Sequence, residues 1–335
     1  MDSQVKKKLN MQKLLAPLAL VILYVFFSFF GNNFFSTDML KNILESSYYI
    51  GFMAFGVTFV IITGGIDLSI GTVMMCSALI GAYVFKQLNW PLPIALLLTV
   101  GVGAMFGVVN GLLVAKLELP PFIATLGTMM MSQGFGSIIT KVQSQTWPTA
   151  TAEIGSWFKK VFIRNTFYIG QTKFTGFPVG AFWLLAFFII GALLLHNTKF
   201  GRYTFAIGSN EEAARLSGIN VSKWKVLVYT VCGIFAGLGG IFYAAAYTTI
   251  TPGTGNGQEL NAIAGVVIGG TSMAGGSGTM VGTLIGIFIM SVLKNGLSAC
   301  GLQAPWQTFF TGAVVIGAVL LDIQRTKAAN RVKKS

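Results

Sequence analysis

Apolar runs of membrane-spanning length, parted by short polar or glycine-rich interruptions, account for most of the chain. The first extends from Leu14 to Phe30, behind Lys6, Lys7, Lys8 and Lys13. Further runs fall near 48–64, 70–87, 91–115, 121–140, 177–196, 226–248, 260–271, 279–299 and 306–322. A helix needs about 20 residues to cross the hydrocarbon of a bilayer, and 260–271 is too short to span alone. The pattern predicts an all-α polytopic membrane protein, a bundle of about ten transmembrane helices, or nine and a broken one. No segment alternates as a strand would, so no sheet is expected. The bulky Gly31-Asn32-Asn33-Phe34-Phe35 offers no cleavage site after the first run, which favours a retained helix over a signal peptide.

One polar island interrupts the apolar text at 209–218. It reads as a short helix with both ends written in. Ser209 serves as N-cap, and Glu212, three residues on, completes a capping box around Asn210 and Glu211. Glu211 and Glu212 suit the positive end of the helix dipole and Arg215 the negative end. Gly218 supplies the left-handed residue that closes such helices. About two turns are too few to stand alone in water. With Ala213 and Ala214 forming a small, flat face, the helix is expected to dock against something.

Composition agrees with the pattern. Of 335 residues 54% are hydrophobic and 10% charged, against about 25% charged in soluble domains; the mean hydropathy is +0.72. The net charge of +13 is read as the positive-inside bias of a membrane protein and not as a nucleic-acid surface. With the N-terminus cytoplasmic, the 23 lysines and arginines divide 15 inside to 8 outside, five of the eight in one long loop. Both termini are therefore expected in the cytoplasm, around a single membrane domain at 14–322 with tails at 1–13 and 323–335. A cytoplasmic loop at 197–225 would carry the short helix. The extracytoplasmic loop 141–176, with Trp147, Trp157, Phe158 and Tyr168, is expected to form a partly ordered cap, either an interfacial hairpin or a docking surface.

Glycine rows permit close helix contact: Gly103, Gly107 and Gly111; Gly233 and Gly237; Gly278, Gly282 and Gly286. Two further glycine-rich turns echo one another. Gly64-Gly65-Ile66-Asp67-Leu68-Ser69 and Gly269-Gly270-Thr271-Ser272 with Gly275-Gly276 each end one run and open the next, as a two-fold internal repeat would. Asp67 is the acid closest to membrane depth; it and Ser69 can cap the helix that begins near Ile70, and a functional role stays open beside that. Sparse intramembrane charge argues against ion coupling.

Chemistry of its own is hard to find in the chain. It lacks a Walker A lysine loop, clustered carboxylates and metal-ligand spacing; Cys76, Cys232 and Cys300 stand apart, and the lone His196 lies at a helix end. A membrane path without an energy source suggests a pore-forming subunit driven by another protein. Sugars are neutral and rich in hydroxyls, so Asn110, Thr125, Thr128, Ser132, Gln133 and Asn261 are candidates for the path, while each can equally bond helix to helix.

These residues carry a resemblance. Glu212-Ala213-Ala214 with Gly218 resembles the EAA loop of ABC-importer permeases. Thr198-Lys199-Phe200-Gly201-Arg202, Gly64-Gly65-Ile66-Asp67-Leu68-Ser69, Pro121-Phe122-Ile123-Ala124-Thr125 and the second glycine turn narrow it to permeases of the ribose, galactose/methyl-galactoside and xylose type. The similarity covers about 40–322. It implies an importer fold of ten helices and a coupling role for 209–218. It also implies a second permease subunit as a homodimer, a cytoplasmic ABC ATPase holding ATP and Mg, and an extracytoplasmic sugar-binding protein. The chain itself would bind no cofactor and no metal, catalyse no reaction, and reside in a bacterial inner membrane among its lipids. A stand-alone facilitator, or a permease for an autoinducer furanose or a nucleoside, is the alternative.

Overall fold

The computed structural model describes residues 3–149, 151, 154–169 and 172–332, with side chains over 15–149, 151, 154–166 and 176–324. Among the described residues the elements run α1 (Ser3–Phe30), α2 (Thr37–Ile62), α3 (Ile70–Lys86), α4 (Leu92–Ala115), α5 (Pro121–Ile139), β1 (Gln145–Thr146), α6 (Trp157–Phe162), β2 (Asn165–Ile169) and β3 (Thr172–Phe177). There follow α7 (Gly180–Asn197), α8 (Lys199–Ser209), α9 (Glu211–Leu216), α10 (Val221–Tyr247), β4 (Thr249–Ile250), α11 (Gln258–Ile268), α12 (Met280–Ala299) and α13 (Ala304–Val332). Seven of these helices are long and apolar enough to cross a membrane, with shorter apolar helices at Leu15–Phe30, Ile70–Lys86 and Gln258–Ile268.

The long helix α2 is the axis of the bundle. Residues 46–63 are all buried, wrapped by α7, α10, α11 and α12. It begins well before the expected position 48 because Ser36 caps it, accepting from Met39 N at 3.1 Å. Its polar first turns are also satisfied: Lys41 donates to Asp38 at 3.0 Å, Arg164 donates to Asn42 at 3.2 Å, and Arg164 pairs with Glu45. Hydropathy alone could not see those partners.

The glycine rows meet in pairs. Along α4, a methyl group added to Gly111 would stand 2.7 Å from Val226 Cα, and the Cβ positions of Gly103 and Gly107 fall on the backbone of α10 at Gly233, Gly237 and Tyr229. Gly282 and Gly286 of α12 press likewise on Gly269 and Gly265. Small residues let backbones close to contact where lipid offers no hydrophobic drive.

At one end of the bundle the chain between α5 and α7 forms a cap. The expectation of no strands fails here, because the two-residue and hairpin strands lie outside the apolar runs. β1 pairs antiparallel with β4, Gln145 opposite Ile250; β2 and β3 form an antiparallel hairpin. Trp147 is anchored inside the protein, not at a membrane surface: it is buried, stacks on Phe158 at 5.0 Å and donates its indole N–H to Ala78 O at 3.0 Å. Trp157 is exposed, and the side chain of Tyr168 lies outside the described residues.

The short run resolves as a non-helical stretch and a short helix. Leaving β4, the chain runs non-helically through 251–257 and then forms α11, only 11 residues long, or about 16 Å. Gly255 penetrates to α3, where its Cβ position lies 2.9 Å from Thr72 Cα. The segments assigned to tails at 1–13 and 323–335 are helical from Ser3 and up to Val332; their basic side chains before Leu15 and after Gln324 lie outside the described residues.

Candidate functional site

At the end of the bundle opposite the cap, the polar island becomes two helices. Ser209 closes α8, which Thr198 opens, and Asn210, in extended conformation at φ −164°, begins α9. The capping box expected of Ser209 and Glu212 is therefore absent. Asn210 Oδ1 accepts from Ala213 N at 2.9 Å and is the cap; Ser209 is still helical and cannot serve. Gly218, at φ +81°, turns the chain out of α9.

The two faces of α9 differ. Ala214 is buried against Ile207 and Val221, with Ala206, Ile219 and Trp224 around them. It thus fastens α9 to the bundle and cannot share an outward face with Ala213. The outward face is Glu212, Ala213, Arg215 and Leu216, with Leu216 81% exposed. Glu211 bonds Lys225 at the start of α10 at 2.6 Å, and Arg215 approaches Glu211 at 3.7 Å and Glu212 at 3.9 Å.

Immediately before α9, Gly208 and Ser209 are clasped by both glycine turns. Gly276 N donates to Ile62 O at 2.8 Å. A Cβ on Gly275 would lie 2.8 Å from Gly208 O and 3.0 Å from Gly64 N, and one on Gly276 would lie 3.0 Å from Ser209 Cα. Both are left-handed, at φ +86° and +72°, so shape and conformation alike demand glycine there. The turn after α2, the turn before α12 and the end of α8 thus share one backbone joint. Gly65 belongs to its flank, where Tyr229 donates to Ile66 O at 3.2 Å. Gly269 and Gly270 close α11, with Gly270 at φ +95°.

Each turn is held by a carboxylate. Asp67 Oδ1 accepts from Ser69 N at 2.9 Å and Ser69 Oγ at 2.6 Å, so it orders the turn, while Ser69 makes no side-chain cap to α3. Asp322 of α13 does the same for the second turn, accepting from Met273 N at 3.0 Å and Ser272 Oγ at 3.2 Å. The only local mark of Asp322 in the sequence is an acid at the end of an apolar run. Glu259 and Asp322 are buried in the protein, as Asp67 is.

The candidate path residues divide. Asn110 donates to Ser69 Oγ at 2.8 Å and accepts from Thr128 Oγ1 at 2.6 Å, joining the first turn to α4 and α5. Thr125 donates to Pro121 O at 2.8 Å, within its own helix, and Ser132 donates to Thr72 Oγ1 at 2.8 Å. All four are buried and all are occupied in bonding backbone or neighbouring helices. Gln133 and Asn261 are half-buried and border the non-helical stretch and the start of α11: Gln133 donates to Gly253 O, and Asn261 to Gln258 Oε1 at 3.4 Å. Among the described residues no three acids, histidines or cysteines gather as a metal would need.

The sequence pattern of the family described as "Branched-chain amino acid transport system / permease component" matches residues 39–319. The ribose import permease protein of Escherichia coli (strain K12) is 39% identical over 91% of this chain and 92% of its own length. That of Bacillus subtilis (strain 168) is 39% identical over 94% of each. The xylose transport system permease protein of Escherichia coli (strain K12) is 31% identical over 94% of this chain and 93% of its own. Close glycine contacts and, among the described residues, seven helices long and apolar enough to cross a membrane thus occur in a chain that belongs to this family of multi-pass transport permeases.

Proposed function

We propose that the chain is the membrane subunit of an ATP-driven monosaccharide importer, driven in trans by a cytoplasmic ABC ATPase that docks on α9. The observation that carries this reading is the backbone joint: the residues preceding an outward-facing, leucine-tipped helix are clasped between two turns of the bundle. A push on α9 would reach α2, α11 and α12 with little slack, because glycine backbones in contact cannot absorb it by side-chain rotation. The likeness to ribose and xylose permeases supports a sugar as the solute.

In this reading the joint end is cytoplasmic, as the charge asymmetry favours, and so are both termini. About ten helices cross, α11 forming half of a broken one. The membrane domain spans 14–322, the loop 197–225 carries the coupling helix, and the cap at 141–176 faces a sugar-binding protein on the outside of a bacterial inner membrane. A second copy of the permease completes the path, with ATP and Mg held by the ATPase. Neither the coupling segment nor the path performs covalent chemistry. The test is co-purification: the full chain should retain a co-expressed ABC ATPase, and Leu216→Glu should release it. Retention by the variant at wild-type level would remove α9 from the interface.

A further inference from the structure

Lys294 stands five residues before the cap-end terminus of α12, at Ala299, or about 8 Å along the axis. Lysines so placed commonly extend to the headgroups. Lys294 turns inward instead. Its Nζ donates to the hydroxyl of Tyr49, a fully buried residue of α2, and sits 5.2 Å from the Tyr49 ring centre and 5.9 Å from that of Tyr247. Tyr243 packs edge-on against Tyr49 at 5.2 Å and lies 4.6 Å from Tyr247. Two tyrosines from two helices therefore flank the ammonium, with Tyr243 packed against both rings. Among the described residues no carboxylate lies within ion-pair distance of it.

The cluster is open on one side. Tyr243 and Lys294 are half-buried and Tyr247 is 47% exposed. Its level in the bundle can be read from glycine contacts: Gly265 meets Gly286 and Gly269 meets Gly282. That antiparallel register, continued along α11, brings Gly257 level with Lys294. The ammonium and the rings thus share a layer with the non-helical stretch, the start of α11 and the amides Gln258, Asn261 and Gln133.

We infer that Lys294 and Tyr247, backed by Tyr49 and Tyr243, form a binding subsite for a neutral monosaccharide in the cap-side half of the path, an inference that rests on the importer reading above. The aromatic face suits the C–H face of a sugar ring, and an ammonium donates to hydroxyl oxygens without requiring a counter-charge on the solute.

The test uses the assembled importer, with its ATPase and binding protein, in proteoliposomes, and reads D-ribose, D-xylose or D-galactose imported per ATP hydrolysed. Losing a hydrogen bond to a charged group should lower that ratio about tenfold in Lys294→Met, with binding-protein-stimulated ATP hydrolysis unchanged. Lys294→Arg should recover part of the ratio. Tyr247→Leu should lower it and Tyr247→Phe, which keeps the ring, should not. Wild-type ratios in both Lys294→Met and Tyr247→Leu would overturn the subsite and leave the importer reading standing. Should Lys294→Met fail to assemble, Tyr247→Leu decides. If the wild type imports none of the three sugars, the monosaccharide reading falls and the subsite with it.

Discussion

Gly276 donates its backbone N–H to the carbonyl of Ile62 over 2.8 Å. This single bond ties the turn before α12 to the last turn of α2, and Ser209 lies against the same glycine. Two crossings distant in sequence and the lead-in to α9 are thereby mechanically one piece.

Gly276→Ala should separate them. The added Cβ meets the Ser209 backbone at 3.0 Å, and a left-handed non-glycine residue costs about 1–2 kcal/mol. Sugar import should fall severalfold, with a lower melting temperature, while Gly312→Ala, with open space around it, leaves import unchanged and does not lower the melting temperature. Equal transport by the two variants would show that the joint bears no force.

Asn210→Ala should cost about 1 kcal/mol of α9 stability, since its side chain alone caps Ala213 N. Ser209→Ala and Glu212→Gln should leave the helix intact. Amide exchange across 211–216 reads the difference; faster exchange in Ser209→Ala than in Asn210→Ala would restore the capping box.

Asp322→Ala leaves Met273 N and Ser272 Oγ without their acceptor, a loss of about 1–3 kcal/mol. Exchange or proteolysis at 269–279 should rise selectively, and coupled transport should decline. An unchanged turn would mean that α13 contributes nothing to holding it.

Thr128→Val removes the donor to Asn110. Side-chain bonds between membrane helices average about 0.6 kcal/mol, so the melting temperature should drop slightly and the preference among sugars should stay as it was. A changed preference would place Thr128 and Asn110 in the path lining.

Much of this was legible in the sequence. The positions of the long apolar helices follow from apolar length, because lipid leaves the backbone few alternatives; the extensions of α1 to Ser3, α2 to Thr37, α10 to Val221 and α13 to Val332 do not. Glycine spacing announced the rows on α4, α10 and α12. What the sequence hid depends on partners distant in the chain. Asn210 rather than Ser209 caps α9 because α8 exists, and α8, with Lys199 and Arg202 in its first turn, does not read as part of an apolar run. Ala214 faces inward because Ile207 and Val221 wait there. Asp322 matters only through a turn 50 residues away. The joint itself could not be read, since adjacency of 62, 208 and 276 leaves no local pattern.

Transport by the reconstituted chain tests the central claim most directly. Purified protein in proteoliposomes, alone and together with its ABC ATPase and binding protein, is assayed for uptake of radiolabelled D-ribose. Concentrative, ATP-dependent uptake only in the full assembly, lost in Leu216→Glu, is the expected result. Sugar flux through the chain alone, indifferent to ATP and to Leu216, would contradict the account and make the protein a facilitator.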